Sequence, residues 1–328
     1  MEKIHAAIQG IGVYLPDYIL TNEEISKMVD TNDEWIMTRI GIKERRILRE
    51  KGKATSDLGA QAVLDLLKKT NTKPEEIDLL ICSTVTPDMR FPATSCIICD
   101  KVGIRNAFAF DLTSGCAGFV YGLATASRYV ESGRYKKVIL VGAEMMSSMV
   151  DYTDRATCPI FGDGAAAVLL EPTTENVGVL DEQMGTDGVG RVHLHMKAGG
   201  SLEPASHETV NDRKHYIYQE GQAVFKWAVV KMADCAQTVM QRNHLDPSKT
   251  WLVPHQANLR IIDAVAKRME LSHDRVMINI QKYGNTTAAT LPLCLWEWES
   301  KLKKGDDLIL AAFGSGFSWG AIWVKWAY

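Results

Sequence analysis

The sequence lacks the features that would seat it in a membrane or staple it covalently. Nowhere in its 328 residues is there a run of the ~18 unbroken apolar positions that a transmembrane helix needs. The opening segment Met1-Glu-Lys-Ile-His-Ala-Ala-Ile-Gln-Gly10 has no apolar core of the length a secretory signal carries. The seven cysteines are odd in number and follow no framework spacing, which argues against a disulfide scaffold and suits a reducing compartment. A cytoplasmic location is expected. Excess charge of one sign is also missing. With a net charge of −3, no broad basic field exists to draw nucleic acid or an anionic bilayer. Any basic docking patch has to be local.

What is present is an ordinary globular composition, 46% hydrophobic and 23% charged, in a chain long enough to bury a large core unaided. Apolar strand-like runs alternate with helical stretches, which predicts an α/β layered protein. Strands are predicted at residues 77–84, 137–142, 165–170, 251–253 and 307–312. Their nearly continuous apolar character suits burial on both faces. Helices are predicted over 56–70, 117–132, 223–243, 259–270 and 286–304.

The order of these elements repeats. One helix leads through Lys73-Pro-Glu-Glu76 into the strand at Ile77, and another through Asp246-Pro-Ser-Lys249 into Trp251-Leu-Val-Pro-His255. A helix start at Gly115-Cys116 leads through Gly133 to the strand at Lys137; its counterpart at Gly284-Asn285 leads through Gly305 to the strand at Asp307. Phe161-Gly-Asp-Gly164 and Phe313-Gly-Ser-Gly316 each precede a last apolar run. Three matches in one order point to a duplicated α/β unit. The turn-rich segment Glu171-Pro-Thr-Thr-Glu-Asn176 is the expected join, giving halves 1–174 and 175–328. The polar, glycine-rich stretch 185–221 is expected to be a long surface excursion bordering an entrance.

Chemistry concentrates at three positions. Cys116 lies in Asp111-Leu-Thr-Ser-Gly-Cys-Ala-Gly-Phe119, where a strand-like run gives way to a helix. A helix N-terminus favours thiolate, so a lowered thiol pKa is expected; the bland alternative is a small buried cysteine. His255 follows a strand, and Asn285 sits in Lys282-Tyr-Gly-Asn-Thr-Thr-Ala288, both at the strand–helix junctions where α/β proteins collect site residues. If the halves superpose, Cys116 and Asn285 occupy equivalent helix starts. A thiolate can hold an acyl group as a thioester. Imidazole and amide N–H groups can then stabilise the enolate oxygen of a second, decarboxylating substrate.

Four segments together resemble one family: Gly115-Cys-Ala-Gly118, Pro254-His-Gln-Ala-Asn-Leu-Arg260, Tyr283-Gly-Asn-Thr286 and Phe313-Gly-Ser-Gly-Phe-Ser-Trp-Gly320. The family is β-ketoacyl-[acyl-carrier-protein] synthase III, the initiating condensing enzyme of bacterial type II fatty-acid synthesis. The resemblance spans the chain from Gly10-Ile-Gly-Val-Tyr-Leu-Pro16 onward. It implies a thiolase-like α/β fold, with two pseudo-symmetric halves forming a five-layered α-β-α-β-α core. It also implies Cys116 as nucleophile, His255 and Asn285 as activators of a malonyl partner, and an oxyanion hole from the backbone N–H groups of Cys116 and Ser315. Where the family usually carries glycine, this chain has Ser315, which serves if its backbone suits a non-glycine residue.

Further positions follow from the resemblance. Trp35, Arg39, Arg155 and Asn258 would contact coenzyme A, an indole face and a guanidinium plane being able to sandwich a purine. Lys226, Arg260, Lys267 and Arg268 would dock the acidic acyl carrier protein. Phe91 would reach the partner's acyl pocket in a homodimer. The implied substrates are acyl-CoA and malonyl-[acyl-carrier-protein], with no metal and no resident cofactor, no nucleic acid and no membrane partner. A thiolase-fold synthase of specialised metabolism and a non-catalytic homologue stand as alternatives, and pocket depth, which sets the primer, is not legible. Cys96-Ile-Ile-Cys99 and His193-Leu-His195 lack further ligands at zinc spacing and are expected to be structural.

Overall fold

The computed structural model describes residues 3–328; residues 1 and 2, where the first half was expected to begin, lie outside it. Nine strands and six helices position the site: β1 His5–Tyr14, β2 Leu79–Ser83, β3 Phe108–Leu112, β4 Val138–Met145, β5 Asp163–Thr173, β6 Gly178–Thr186, β7 Trp251–Pro254, β8 Asp307–Gly314 and β9 Ser318–Lys325. The helices are α1 Thr55–Thr70, α2 Thr94–Val102, α3 Gly118–Glu131, α4 Gly221–Arg242, α5 Leu259–Arg268 and α6 Thr290–Trp298. Local chemistry sets their ends. Helix α1 places Leu58, Ala62 and Leu66 on one buried stripe, the i, i+4 spacing of a helix face. It stops where Asn71 turns left-handed at φ 51°, a conformation asparagine tolerates better than most residues.

Strand pairing shows the duplication. One sheet runs β1-β5-β4-β2-β3 and the other β6-β9-β8-β7. In the first, β2 and β4 are parallel, β4 and β5 antiparallel, β5 and β1 antiparallel. In the second, β7 and β8 are parallel, β8 and β9 antiparallel, β9 and β6 antiparallel. Sense and order therefore match strand for strand. The counterpart of β3 is reduced to a single parallel bridge between Leu252 and Val276.

Five layers result. Helices α1 and α2 cover the outer face of the first sheet, α3 and α6 lie between the sheets, and α4 and α5 pack against the second sheet's far side. The middle layer is mostly apolar where the sheets cover it, while Arg128 and Glu131 mark the side of α3 that reaches solvent. Phe119, Val120, Leu123, Leu291 and Leu295 share one core with Leu140, Leu310 and Ile322 from the two sheets. Each such side chain contributes ~1.5–3 kcal/mol of burial. Pinning α3 and α6 in this way fixes the residues at their N-termini.

Two expectations change. The helix predicted over 286–304 is three pieces: a 3₁₀ turn Thr287–Ala289, α6, and a second 3₁₀ turn Glu299–Lys301. Thr287 adopts φ 51°, which a continuous right-handed helix cannot contain. The 185–221 excursion is more ordered than its composition suggests. It holds the paired strands Leu194–Met196 and Ile217–Gln219 and the short helix His207–Asn211. No helix among the described residues is long and apolar enough to cross a membrane.

Candidate active site

The chain leaves β3 and enters a 3₁₀ turn, Gly115–Ala117, before α3 begins. Gly115 takes φ 52°, and a Cβ there would lie 2.3 Å from Ser315 Oγ. On the facing turn, a Cβ at Gly314 would lie 2.5 Å from the Cys116 nitrogen. The two glycines thus let the Cys116 and Ser315 backbones meet. Ser318 Oγ ties the turns, 3.1 Å from the Ser114 carbonyl and 2.8 Å from the Ser315 carbonyl. Ser315 is absent from the non-glycine residues with positive φ, so serine fits the position that the family fills with glycine.

Cys116 is buried, and burial pushes its thiol from an ordinary 9.0 up to about 12, with the nearby Glu144 charge adding to the rise. The Asn285 and Thr287 side chains pull in the opposite direction. This corrects the expectation of a lowered pKa. The rise is worth ~4 kcal/mol, several times the ~0.3–1 kcal/mol of an exposed helix end. The cysteine also sits in the turn ahead of the helix, not inside its first turn. At neutral pH the Cys116 side chain is therefore a thiol.

His255 emerges from the C-terminal end of β7, its N–H donating to the Ala311 carbonyl at 2.8 Å. Gln256 locks the loop behind it. Its amide donates to the Pro254 carbonyl at 2.7 Å, and its oxygen accepts the N–H groups of Asn279 and Ile280 at 3.0 and 3.1 Å. Burial pushes the imidazole down to about 3, so it is neutral. Nδ1 lies 2.6 Å from Thr290 Oγ1, and that hydroxyl donates to the Thr287 carbonyl at 3.0 Å. Because the hydroxyl spends its one proton there, the chain assigns the imidazole proton to Nδ1. Nε2 is then bare, buried and without a partner among the described residues. Its lone pair is free to accept a hydrogen bond.

Asn285 is delivered across the halves. Its backbone forms a parallel bridge with Phe161, donating to the Ile160 carbonyl at 2.9 Å and accepting from the Gly162 N–H at 3.1 Å. Its side-chain oxygen accepts the Thr287 N–H at 2.8 Å, which leaves the amide N–H₂ as the donor end. Cys116, His255, Asn285 and Ser315 all line one cavity of about 890 Å³.

Trp35, Arg39 and Asn258 line the same cavity. Arg155 lies over the Trp35 ring at 4.8 Å, a gap narrower than the ~7 Å that a flat ring between them would need. Asn258 also has a local duty, capping α5 through the Arg260 N–H at 2.9 Å and donating to the Arg39 carbonyl at 3.2 Å. Lys226, Arg260 and Lys267 are exposed, whereas Arg268 pairs with Asp234 at 2.6 Å. Phe91 is 84% exposed.

Sequence reasoning missed three residues. Glu144, fully buried at the end of β4, accepts from the Thr86 hydroxyl at 2.7 Å and the Thr84 hydroxyl at 3.1 Å, and from the Val85 and Thr86 N–H groups. Burial pushes it up to about 7 against those donors. Thr290 and Thr287 are the others, hidden in a run that reads as plain helix. His193, expected to lack a carboxylate, has Glu220 Oε2 at 2.5 Å, and His195 lines the cavity. Among the described residues no cluster of three metal-ligating side chains forms.

A duplicated five-layer α/β core, with a thiol, an imidazole and an amide meeting between its halves, defines the class of thiolase-fold condensing enzymes. Comparison with known proteins narrows it. Residues 110–188 match the 3-oxoacyl-[acyl-carrier-protein (ACP)] synthase III model, and residues 240–326 match the model of that family's C-terminal part. The chain is 61% identical to β-ketoacyl-[acyl-carrier-protein] synthase III 2 of Bacteroides thetaiotaomicron, over 100% of this chain and 98% of that relative. It is similar to the crystal structure of 3-oxoacyl-[acyl-carrier-protein] synthase III from Aquifex aeolicus, with TM-score 0.89 and 39% identity over 98% of this chain and 100% of that one. It is also similar to the priming β-ketosynthase of the R1128 polyketide biosynthetic pathway, with TM-score 0.91 and 32% identity over 99% and 97% of the two chains. The chain belongs to the 3-oxoacyl-[acyl-carrier-protein] synthase III family, a group of acyltransferase-type condensing enzymes.

Proposed function

We propose that this protein condenses an acyl-CoA primer with malonyl-[acyl-carrier-protein], releasing 3-oxoacyl-[acyl-carrier-protein], CoA and CO₂, and so initiates fatty-acid synthesis in the cytoplasm. The observation that carries this reading is the convergence of Cys116, His255 and Asn285 in one cavity. The thiol proton passes to the bare His255 Nε2 as sulfur bonds to the primer carbonyl. The carbonyl oxygen draws on the Cys116 and Ser315 N–H groups. The C–S bond to CoA then breaks, and the CoA thiolate leaves with that proton. In the second half-reaction the malonyl C–CO₂⁻ bond breaks, and its electron pair becomes an enolate held by donors from Asn285 and His255. For His255 to donate there, the Thr290 hydroxyl turns to Nδ1 and the imidazole proton moves to Nε2. The enolate carbon attacks the thioester, the C–S bond to Cys116 breaks, and the departing thiolate takes up a proton from solvent to restore the resting thiol. No metal or resident cofactor is required by this chemistry.

Trp35, Arg39, Arg155 and Asn258 are proposed to hold coenzyme A. Trp35→Ala is expected to raise KM for acyl-CoA ~10-fold with kcat nearly unchanged, the loss of one stacking platform worth ~1–2 kcal/mol; steady-state kinetics checks it. Lys226, Arg260, Lys267 and Arg268 are proposed to meet the carrier protein, Arg268 with its charge partly spent on Asp234. Halves 1–174 and 175–328 are proposed as the two units. A homodimer joined along β3 is supported by that strand's position at the sheet edge, an arrangement open to pairing. Support also comes from the Phe108, Phe110, Tyr129 and Tyr135 rings grouped there. Phe91 would then enter the partner's acyl pocket.

A second reading, priming of a polyketide chain, rests on the R1128 likeness at 32% identity. The curated relative at 61% identity weighs for the first. Mass analysis of the carrier after incubation with acyl-CoA and malonyl-loaded fatty-acid carrier protein tests it. A 3-oxoacyl product is expected; an unchanged malonyl carrier beside an active polyketide carrier would favour the second reading.

A further inference from the structure

Thr287 combines observations that a structural role does not account for. It is β-branched yet holds φ 51°, a left-handed conformation that is strained for such a residue and that persists only where surroundings enforce it. Here both ends are held. Its N–H donates to Asn285 Oδ1 at 2.8 Å, and its carbonyl accepts the Thr290 hydroxyl at 3.0 Å. Through Thr290 that carbonyl is one link from His255 Nδ1. The side chain is 2% exposed, lines the cavity, and its hydroxyl has no ordinary hydrogen-bond partner among the described residues. It lies beside Cys116, where it favours the charged sulfur. A buried hydroxyl left unpaired calls for an explanation. One held in a strained conformation next to a nucleophile is a donor kept in reserve for a charge that is not yet there.

We infer that Thr287 is a further catalytic residue, whose hydroxyl donates to the negative charge that develops on Cys116 sulfur during attack and again when the sulfur leaves. The same residue's N–H aims the Asn285 amide, so one strained position serves both half-reactions. The groups that face Cys116 sort by sign. Glu144 disfavours the thiolate, the neutral His255 receives the proton, and Asn285 with Thr287 supplies the compensating donors. This inference rests on the nucleophile assignment proposed above, and its test separates the two.

Thr287→Ala and Thr287→Ser differ by one oxygen. The pH profile of Cys116 alkylation by iodoacetamide, followed by peptide mass, reads the thiolate directly. In Thr287→Ala the profile is expected to move to higher pH by about one unit, a hydrogen bond to the charged form being lost. Acylation by acyl-CoA should fall ~10-fold with KM nearly unchanged, and Thr287→Ser should return both to within about twofold of the parent. If Thr287→Ala keeps the parent profile and acylation rate, the inference is overturned. Should the alanine variant fail to fold, Thr287→Gly, which suits the positive φ, replaces it in the same comparison with serine. If the parent protein alkylates at Cys116 but never takes an acyl group from acyl-CoA, the proposed function fails, while the alkylation comparison still decides the Thr287–sulfur contact.

Discussion

Cys116→Ala is expected to abolish the acyl-enzyme and to lower condensation by ~10⁴-fold or more, with the fold retained. The cavity walls, the N–H groups at 116 and 315 and the proposed enolate donors all survive this change, so binding of primer and malonyl partner is expected to persist. What disappears is the covalent route, and single removal of a nucleophile typically costs nearly as much as removing the whole catalytic set. Folding should tolerate it because alanine is smaller at a position with no intrahelical duty, in a 3₁₀ turn ahead of α3. The parent's reactivity carries a second signature. With the thiol pushed up to about 12 and His255 down to about 3, both groups are neutral at pH 7. Iodoacetamide alkylation of the free protein should therefore be slow at neutral pH and climb through the alkaline range. A plateau below pH 7, the mark of a preformed thiolate, would contradict this account.

Asn285→Asp should lower condensation ~10²–10³-fold, the usual cost of losing one donor to a developing oxyanion. The substitution is nearly isosteric, and one carboxylate oxygen can still accept the Thr287 N–H that Asn285 Oδ1 now accepts at 2.8 Å. The other oxygen replaces a donor with an acceptor and sets a second negative group near Cys116, which Glu144 already opposes. Acylation should therefore slow too, by less than condensation. Separate assays of acyl transfer from acyl-CoA and of CO₂ release from malonyl-carrier protein resolve the two losses. Equal decline in both would place Asn285 on the acyl side alone.

The duplication was legible because glycine and proline mark it. Lys73-Pro74 and Asp246-Pro247 precede matching strands, and Gly115 and Gly284 precede matching middle-layer helices. Residue types chosen for backbone geometry leave a visible trace in sequence. The convergence of Cys116, His255 and Asn285 followed from that symmetry and from the motifs. Less visible was whatever depends on tertiary burial. The Cys116 thiol was expected to be lowered by a helix end, but its surroundings, including a carboxylate nearly thirty positions away at Glu144, reverse the sign. Thr287 read as the inside of a helix because nothing in Asn285-Thr-Thr-Ala288 announces a left-handed threonine; φ is imposed by partners at both of its ends. The excursion at 185–221 looked irregular, since its two strands are three residues each, too short for periodicity to register.

The most direct test is intact-protein and peptide mass spectrometry on the unmodified enzyme, first incubated with acetyl-, isobutyryl- or longer acyl-CoA and then chased with malonyl-[acyl-carrier-protein]. One acyl group is expected, mapped to the Cys116 peptide, stable in buffer and discharged only on the chase, with 3-oxoacyl-carrier protein and CO₂ appearing in equal amounts. An acyl group on another residue, or one that water removes as fast as the malonyl carrier does, would contradict this expectation.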